Sequence, residues 1–273
     1  IIRGLKMNNL KEFNKLSFFM LDMDGTIYLG DKLLKGAMDY LKKVKEKGKR
    51  YIFLTNNSSK NKMTYVQKLN KLGIDATEDD VFTSGDATII YLKKQKANPR
   101  VYLLGTPDLE HSFEKEGIEL VKGRNGNPDY VVLGFDQTLT YEKIWIACDY
   151  LREGVPFIAT HPDFNCPLDD NKYMPDTGAM IEMFKAATGV SPLVIGKPSK
   201  GMVDSVIEKY QVEREKIAMV GDRLYTDVAI GKNAGIASIL VLSGETSKEE
   251  YENQDKFKAD FIFDGVYEMI DIL

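Results

Sequence analysis

The sequence predicts an α/β fold: a doubly wound parallel sheet, with a second α/β domain inserted into the first. Two observations carry this. Short apolar runs alternate with amphipathic helical stretches from Leu16 onward, and the same alternation returns near the C-terminal end after a long intervening stretch with strands of its own.

The first run, LSFFML, is almost continuously apolar, as expected of a strand covered on both faces. GAMDYLKKVKEKGK follows with Ala37, Leu41 and Val44 on one helical stripe and Gly48 as its stop. RYIFLTNN is a second buried strand. The helix after it, KNKMTYVQKLNKLG, is expected to face Met63, Val66 and Leu69 inward and to close at Gly73. At the other end KIAMVG reads as a strand, TDVAIGKNAG as a helix closed by Gly235, ASILVL and DFIF as strands, and VYEMIDIL as a terminal helix. Between them lie the strands VYLLG, YVVLGF and PFIAT and the helices YEKIWIACDYLREG and GAMIEMFKAATG. The expected division is a core of residues 12–83 and 190–273 and an inserted domain of residues 84–189.

Bulk properties narrow the function. The chain has 273 residues, 43% hydrophobic and 29% charged, which is the composition of a soluble globular protein. A net charge of -4 argues against a nucleic-acid partner. No apolar run suffices to cross a membrane and no secretory leader is recognisable, so a cytoplasmic location is expected. Cys148 and Cys166 are too few for a disulfide framework or a zinc cluster; Cys148 is expected in a helix core and Cys166 in a loop. His111 is expected on a helix surface.

The chemistry begins at FFMLDMDGTIYLG. Asp-Gly is an ordinary way to leave a strand, but Asp22 and Asp24 are two residues apart and so face one side of an extended segment. Two charges about 4 Å apart repel by roughly 4 kcal/mol at an effective dielectric near 20. A divalent cation or a raised pKa would offset this. Ligands of open α/β sheets bind beyond the carboxyl ends of strands. The polar residues there are Asp22, Asp24, Thr55, Asn56, Asn57 and Asp222, with Asp227 a helical turn later. Thr55 to Asn57 could instead cap the next helix, and Asp222 could be a turn residue. An all-oxygen set suits magnesium rather than zinc. Lys197, between Gly196 and Pro198 at a helix start, would meet an anion there, or else be an exposed loop lysine.

DMDGT (22 to 26), LTNNSS (54 to 59), GKP (196 to 198) and GDRLYTD (221 to 227), in this order, resemble the four motifs of the haloacid dehalogenase superfamily of phosphatases. GDRLYTDVAIGKNAG with TNNSS is similar to its type IIA subfamily of p-nitrophenyl, nucleotide and pyridoxal phosphatases. The resemblance implies a phosphomonoesterase of small phosphorylated metabolites: sugar phosphates, nucleoside monophosphates or p-nitrophenyl phosphate. It implies Asp22 as nucleophile, forming an aspartyl-phosphate, and Asp24 as the acid that protonates the leaving oxygen and then activates water. It implies Mg2+ held by Asp22, the Asp24 backbone carbonyl and Asp222, with Asp227 behind them, and a phosphate gripped by Thr55, Asn56, Asn57 and Lys197. Residues 84–189 would be a C2-type cap, through which a homodimer can form. The cap loop THPDFNCPLDDNKYMPDTGAM resembles the substrate-specificity loop, with His161 where Asn is usual, so His161 and Cys166 are candidate specificity residues. A phosphotransferase using the same intermediate and a non-catalytic phosphate-binding module stay open as alternatives.

Overall fold

The structure is a computed structural model describing residues 7–168 and 172–273. The chain divides into two compact units. One takes the segments through Thr55, Tyr65–Phe82 and Val206–Leu273; the other takes Asn56–Thr64 and Thr83–Ser205.

The first unit is built on a six-stranded sheet in the order Phe261–Phe263, Ala237–Val241, Ile217–Gly221, Phe18–Leu21, Arg50–Thr55, Val81–Thr83. Phe18–Leu21 runs parallel to both neighbours, with Leu21 opposite Val220 on one side and Phe53 on the other. Every residue of Phe18–Leu21 and of Ile217–Gly221 is buried, which is why these runs are apolar without alternation. One face packs Phe13, Phe19, Tyr40, Phe53 and Leu69 into a single cluster, with Phe13 edge-on to Phe261 at 5.3 Å. Each fully buried side chain of this size contributes about 1.5–3 kcal/mol. Ala37, Leu41 and Val44 face that core as their spacing predicts, and Gly48 (φ 68°), Gly73 (φ 85°) and Gly235 (φ 65°) follow their helices in the left-handed conformation that glycine adopts without steric cost.

The second unit holds a five-stranded parallel sheet, ordered Leu193–Val194, Phe157–Ala159, Tyr130–Leu133, Arg100–Leu104, Glu119–Leu120. Its core runs from Leu104 and Leu133 to Cys148, Phe157 and Phe184. Thr83 and Asp86 form a reciprocal capping box at the start of Ser84–Gln95, and Asp176 caps Thr177–Thr188.

Four local expectations change. Met63 is 43% exposed while Val66 and Leu69 are buried; a three-residue step drifts round a 3.6-residue helix, leaving the first member off the buried face. Val266–Met269 is a single 3-10 turn, and Val266, Met269 and Ile272 are buried at a three-residue spacing that matches three residues per turn. The helix after Asp222 opens with a π turn, Leu224–Val228, before Ala229–Ala234. Cys166 lies on a strand, Asn165–Leu168, paired antiparallel with Lys172–Pro175, so the loop expectation for it is corrected. Cys148 is buried in its helix and His111 is on a helix surface, as expected. No helix among the described residues is long and apolar enough to cross a membrane.

Candidate active site

The first unit gathers carboxylates at the carboxyl ends of its central strands. The Asp22 N–H donates to the Val220 carbonyl at 2.8 Å, continuing the parallel ladder one residue past Leu21. Asp222 leaves the neighbouring strand directly after Gly221. Asp227 returns toward both through the π turn, in which the Asp227 and Val228 amides both donate to the Arg223 carbonyl. One carboxylate oxygen from each of Asp22, Asp222 and Asp227 lies within 4.8 Å of the others. At or inside that separation each pair of charges repels by at least about 3.5 kcal/mol at an effective dielectric near 20.

Glycines make this approach possible. A Cβ at Gly25 would lie 2.4 Å from Asp222 Oδ2, and one at Gly221 would lie 2.3 Å from Asp227 Cγ. Gly25 also has φ 83°, which L side chains rarely adopt. Asp222 is 2% exposed. Thr26 Oγ1 donates to its Oδ1 at 3.3 Å and the Glu245 N–H to its Oδ2 at 2.7 Å. Burial first, then the charges of Asp22 and Asp227, push the Asp222 carboxyl up to about 7; the Glu245 amide and Arg223 pull the other way. Three oxygen donors in one glycine-cleared space, with an excess of negative charge, fit a hard divalent cation such as magnesium.

Asp24 is outside this cluster. It is exposed, in the tight turn where the Gly25 N–H donates to the Tyr28 carbonyl at 2.8 Å. Thr55 ends its strand half-buried. The helix-capping alternative for Thr55 to Asn57 falls away, because Asn61 caps that helix, accepting the Thr64 N–H at 3.1 Å.

In the second unit Asn56 and Lys197 meet. Asn56 Oδ1 accepts the Lys197 N–H at 2.8 Å and Nδ2 donates to the Lys197 carbonyl at 2.9 Å. Nδ2 also reaches the Asp163 carboxylate at 3.2 Å. Lys197 is 3% exposed, so the exposed-lysine alternative does not hold. Asn57 closes a turn, its Oδ1 accepting the Ser59 N–H at 2.9 Å. His161 is fully buried, its Nε2 2.9 Å from Asp176 Oδ1 and its Nδ1 2.9 Å from Thr160 Oγ1.

The sequence reading missed Thr26 and the turn Ser243–Thr246, both bonded to Asp222. The available signal was positional: ASILVL is the next parallel strand of the core, and a polar turn, SGET, stands at its carboxyl end.

The profile of haloacid dehalogenase-like hydrolases matches residues 19–119, and a second, HAD-hydrolase-like profile matches residues 194–269. The 5'-nucleotidase YutF of Bacillus subtilis (strain 168) is 33% identical over 252 residues, covering 92% of this chain and 96% of its own. The chain belongs to the haloacid dehalogenase-like hydrolases. Among solved members, 4-nitrophenylphosphatase from Thermotoga maritima is 49% identical with a TM-score of 0.89, covering 95% of this chain and 98% of that one. A glycerol phosphate phosphatase from Mycobacterium tuberculosis, solved in complex with magnesium, is 28% identical with a TM-score of 0.86, covering 93% of this chain and 77% of that one. Within the family, this chain therefore sits with the type IIA, p-nitrophenyl phosphatase group.

Proposed function

We propose that this haloacid dehalogenase-like hydrolase is a magnesium-dependent phosphomonoesterase of small phosphorylated metabolites, working through an aspartyl-phosphate on Asp22. The observation that carries the reading is the oxygen cluster of Asp22, Asp222 and Asp227 at the carboxyl ends of adjacent strands. In the reaction an Asp22 carboxylate oxygen attacks phosphorus and the bond to the leaving oxygen breaks. Asp24, on its exposed turn, gives that oxygen a proton. Water then attacks the acyl phosphate, Asp24 takes back a proton, and phosphate leaves with Asp22 restored. Lys197, Thr55 and the amides of Asn56 and Asn57 would grip the phosphoryl oxygens, and the Asn56 side chain would hold the Lys197 peptide for that task.

Magnesium would be held by Asp22, the Asp24 carbonyl and Asp222, with Asp227 beside them; when bound it neutralises the carboxylates and the charge of the phosphoryl group. A proton donor at Asp24 suits an oxygen leaving group. Of the two candidate specificity residues, His161 is hydrogen-bonded to Asp176, and Cys166 stays a candidate contact for the leaving group.

Hydrolysis of p-nitrophenyl phosphate tests the proposal. Activity is expected with MgCl2, lost in EDTA, and lost in Asp22→Asn and Asp24→Asn. Metal-independent release of nitrophenol, or full activity in Asp22→Asn, contradicts it. A panel of nucleoside monophosphates, sugar phosphates and glycerol phosphate then ranks the substrates, and added alcohol acceptors reveal any phosphotransfer.

A further inference from the structure

The strand Ala237–Val241 lies parallel to Ile217–Gly221, with Leu240 opposite Gly221, so its carboxyl end emerges beside Asp222. The turn that follows touches both loops of the carboxylate cluster. Ser243 Oγ donates to the Gly25 carbonyl at 2.8 Å. The Glu245 N–H donates to Asp222 Oδ2 at 2.7 Å, and the Thr246 N–H to the Asp222 carbonyl at 3.2 Å. Between these anchors, Gly244 lies so close that a Cβ there would be 2.0 Å from Asp222 Oδ2. The Glu245 side chain turns the other way, to an ion pair with Arg223 Nε at 3.0 Å.

These contacts share one geometric effect. The side chain and the carbonyl of Asp222 each receive an amide hydrogen from the turn, while the turn's hydroxyl fixes the loop that carries Asp24. A buried carboxylate close to two others would otherwise rotate to relieve the repulsion. Resting on the magnesium reading above, we propose that Ser243–Thr246 is a positioning element for the cation site, holding the Asp222 carboxylate in the rotamer that meets Asp22 and Asp227. Its working parts are the Glu245 amide and the bare Cα of Gly244, neither of which depends on a reactive side chain.

The test is magnesium binding by the full chain after EDTA dialysis, measured by calorimetry and by the rise in melting temperature with MgCl2. Gly244→Ala, which drives a methyl group into Asp222, and Glu245→Pro, which removes the amide hydrogen, should each bind magnesium at least tenfold more weakly than the unsubstituted chain. At a temperature where circular dichroism shows the metal-free variants fully folded, so that stabilisation by the ion cannot account for it, their p-nitrophenyl phosphate activity should recover as MgCl2 is raised. Glu245→Gln keeps both the amide and an acceptor for Arg223, and should bind within about twofold of the unsubstituted chain. Ser243→Ala, the mildest change, should weaken binding about threefold and serves if the harsher variants do not fold. The inference is overturned by folded variants that bind magnesium like the unsubstituted chain, or by Glu245→Gln losing as much as Glu245→Pro. No binding by the unsubstituted chain at millimolar magnesium would overturn the metal reading itself, a result separable from failure in the variants alone.

Discussion

The Asn56 carboxamide holds the Lys197 peptide from both sides, accepting its N–H at 2.8 Å and donating to its carbonyl at 2.9 Å. A side chain that pairs with the N–H and the carbonyl on either side of one Cα fixes where that Cα sits, and so where the lysine side chain starts. Asn56→Ala removes both of these hydrogen bonds, at about 0.5–1.5 kcal/mol each. Asn56→Asp sets a carboxylate against the Lys197 carbonyl and against Asp163. Both variants should raise KM for p-nitrophenyl phosphate tenfold or more, the aspartate more than the alanine, in steady-state assays on protein with an unchanged far-UV spectrum. An unchanged KM would remove Lys197 from the phosphate grip.

The raised pKa of Asp222 makes a prediction with a definite sign. Its folded value of about 7 lies above the 3.8 of an unfolded chain, so between those values the native state binds the extra proton and the unfolded state does not. This contribution to stability is therefore complete below about pH 4, declines as pH rises toward 7, and is flat beyond. Metal-free protein should unfold at lower urea concentration at pH 8 than at pH 5.5, and magnesium should narrow the gap by offsetting the carboxylate charges. Because cation binding displaces the proton, magnesium affinity should fall as pH drops below 7. Urea titrations in EDTA and in MgCl2 at both pH values measure this; a metal-free protein more stable at pH 8 contradicts it.

Why some of this was legible in the sequence and some was not has a physical basis. Phe18–Leu21 and Ile217–Gly221 are buried on both faces, and burial demands apolar residues throughout, which a reader sees directly. Asp22 and Asp222 interrupt those runs, and charge after an apolar strand is visible too. The Asn56–Lys197 clamp spans 141 positions, and no local pattern encodes such a contact; only the order of motifs pointed to it. The turn at Ser243–Thr246 was missed because it acts through amide hydrogens, which nearly every residue has. Met63 and the final VYEMIDIL misled through periodicity, which states that a helical face exists but not where packing begins or ends.

His161 separates a supporting role from a substrate contact. Its ring is buried between Asp176 and Thr160, and Thr160 Oγ1 continues to Ser58 Oγ at 3.0 Å, which in turn accepts the Phe135 N–H. His161→Leu should leave Asp176 short of a partner and cost about 1–3 kcal/mol, seen as a lower melting temperature. Its kcat/KM for p-nitrophenyl phosphate should change less than that of Lys197→Ala. A reordered substrate panel with no loss of thermal stability would instead show the ring meeting the leaving group.

Gly221 and Asp227 should behave as one unit. A Cβ at residue 221 would lie 2.3 Å from Asp227 Cγ, so Gly221→Ala must push that carboxylate away from Asp22 and Asp222. Asp227 Oδ2 also accepts the Arg223 N–H at 3.1 Å, so its displacement loosens the turn that follows Asp222. If Gly221 serves only to make room for Asp227, then Gly221→Ala and Asp227→Asn should each lower kcat/KM by about tenfold or more, and the double variant should be little worse than either alone. Residues acting through separate routes would give multiplied losses. Steady-state kinetics on the three variants at saturating MgCl2 decide between these outcomes, and additive effects would show that the glycine serves the strand rather than the carboxylate.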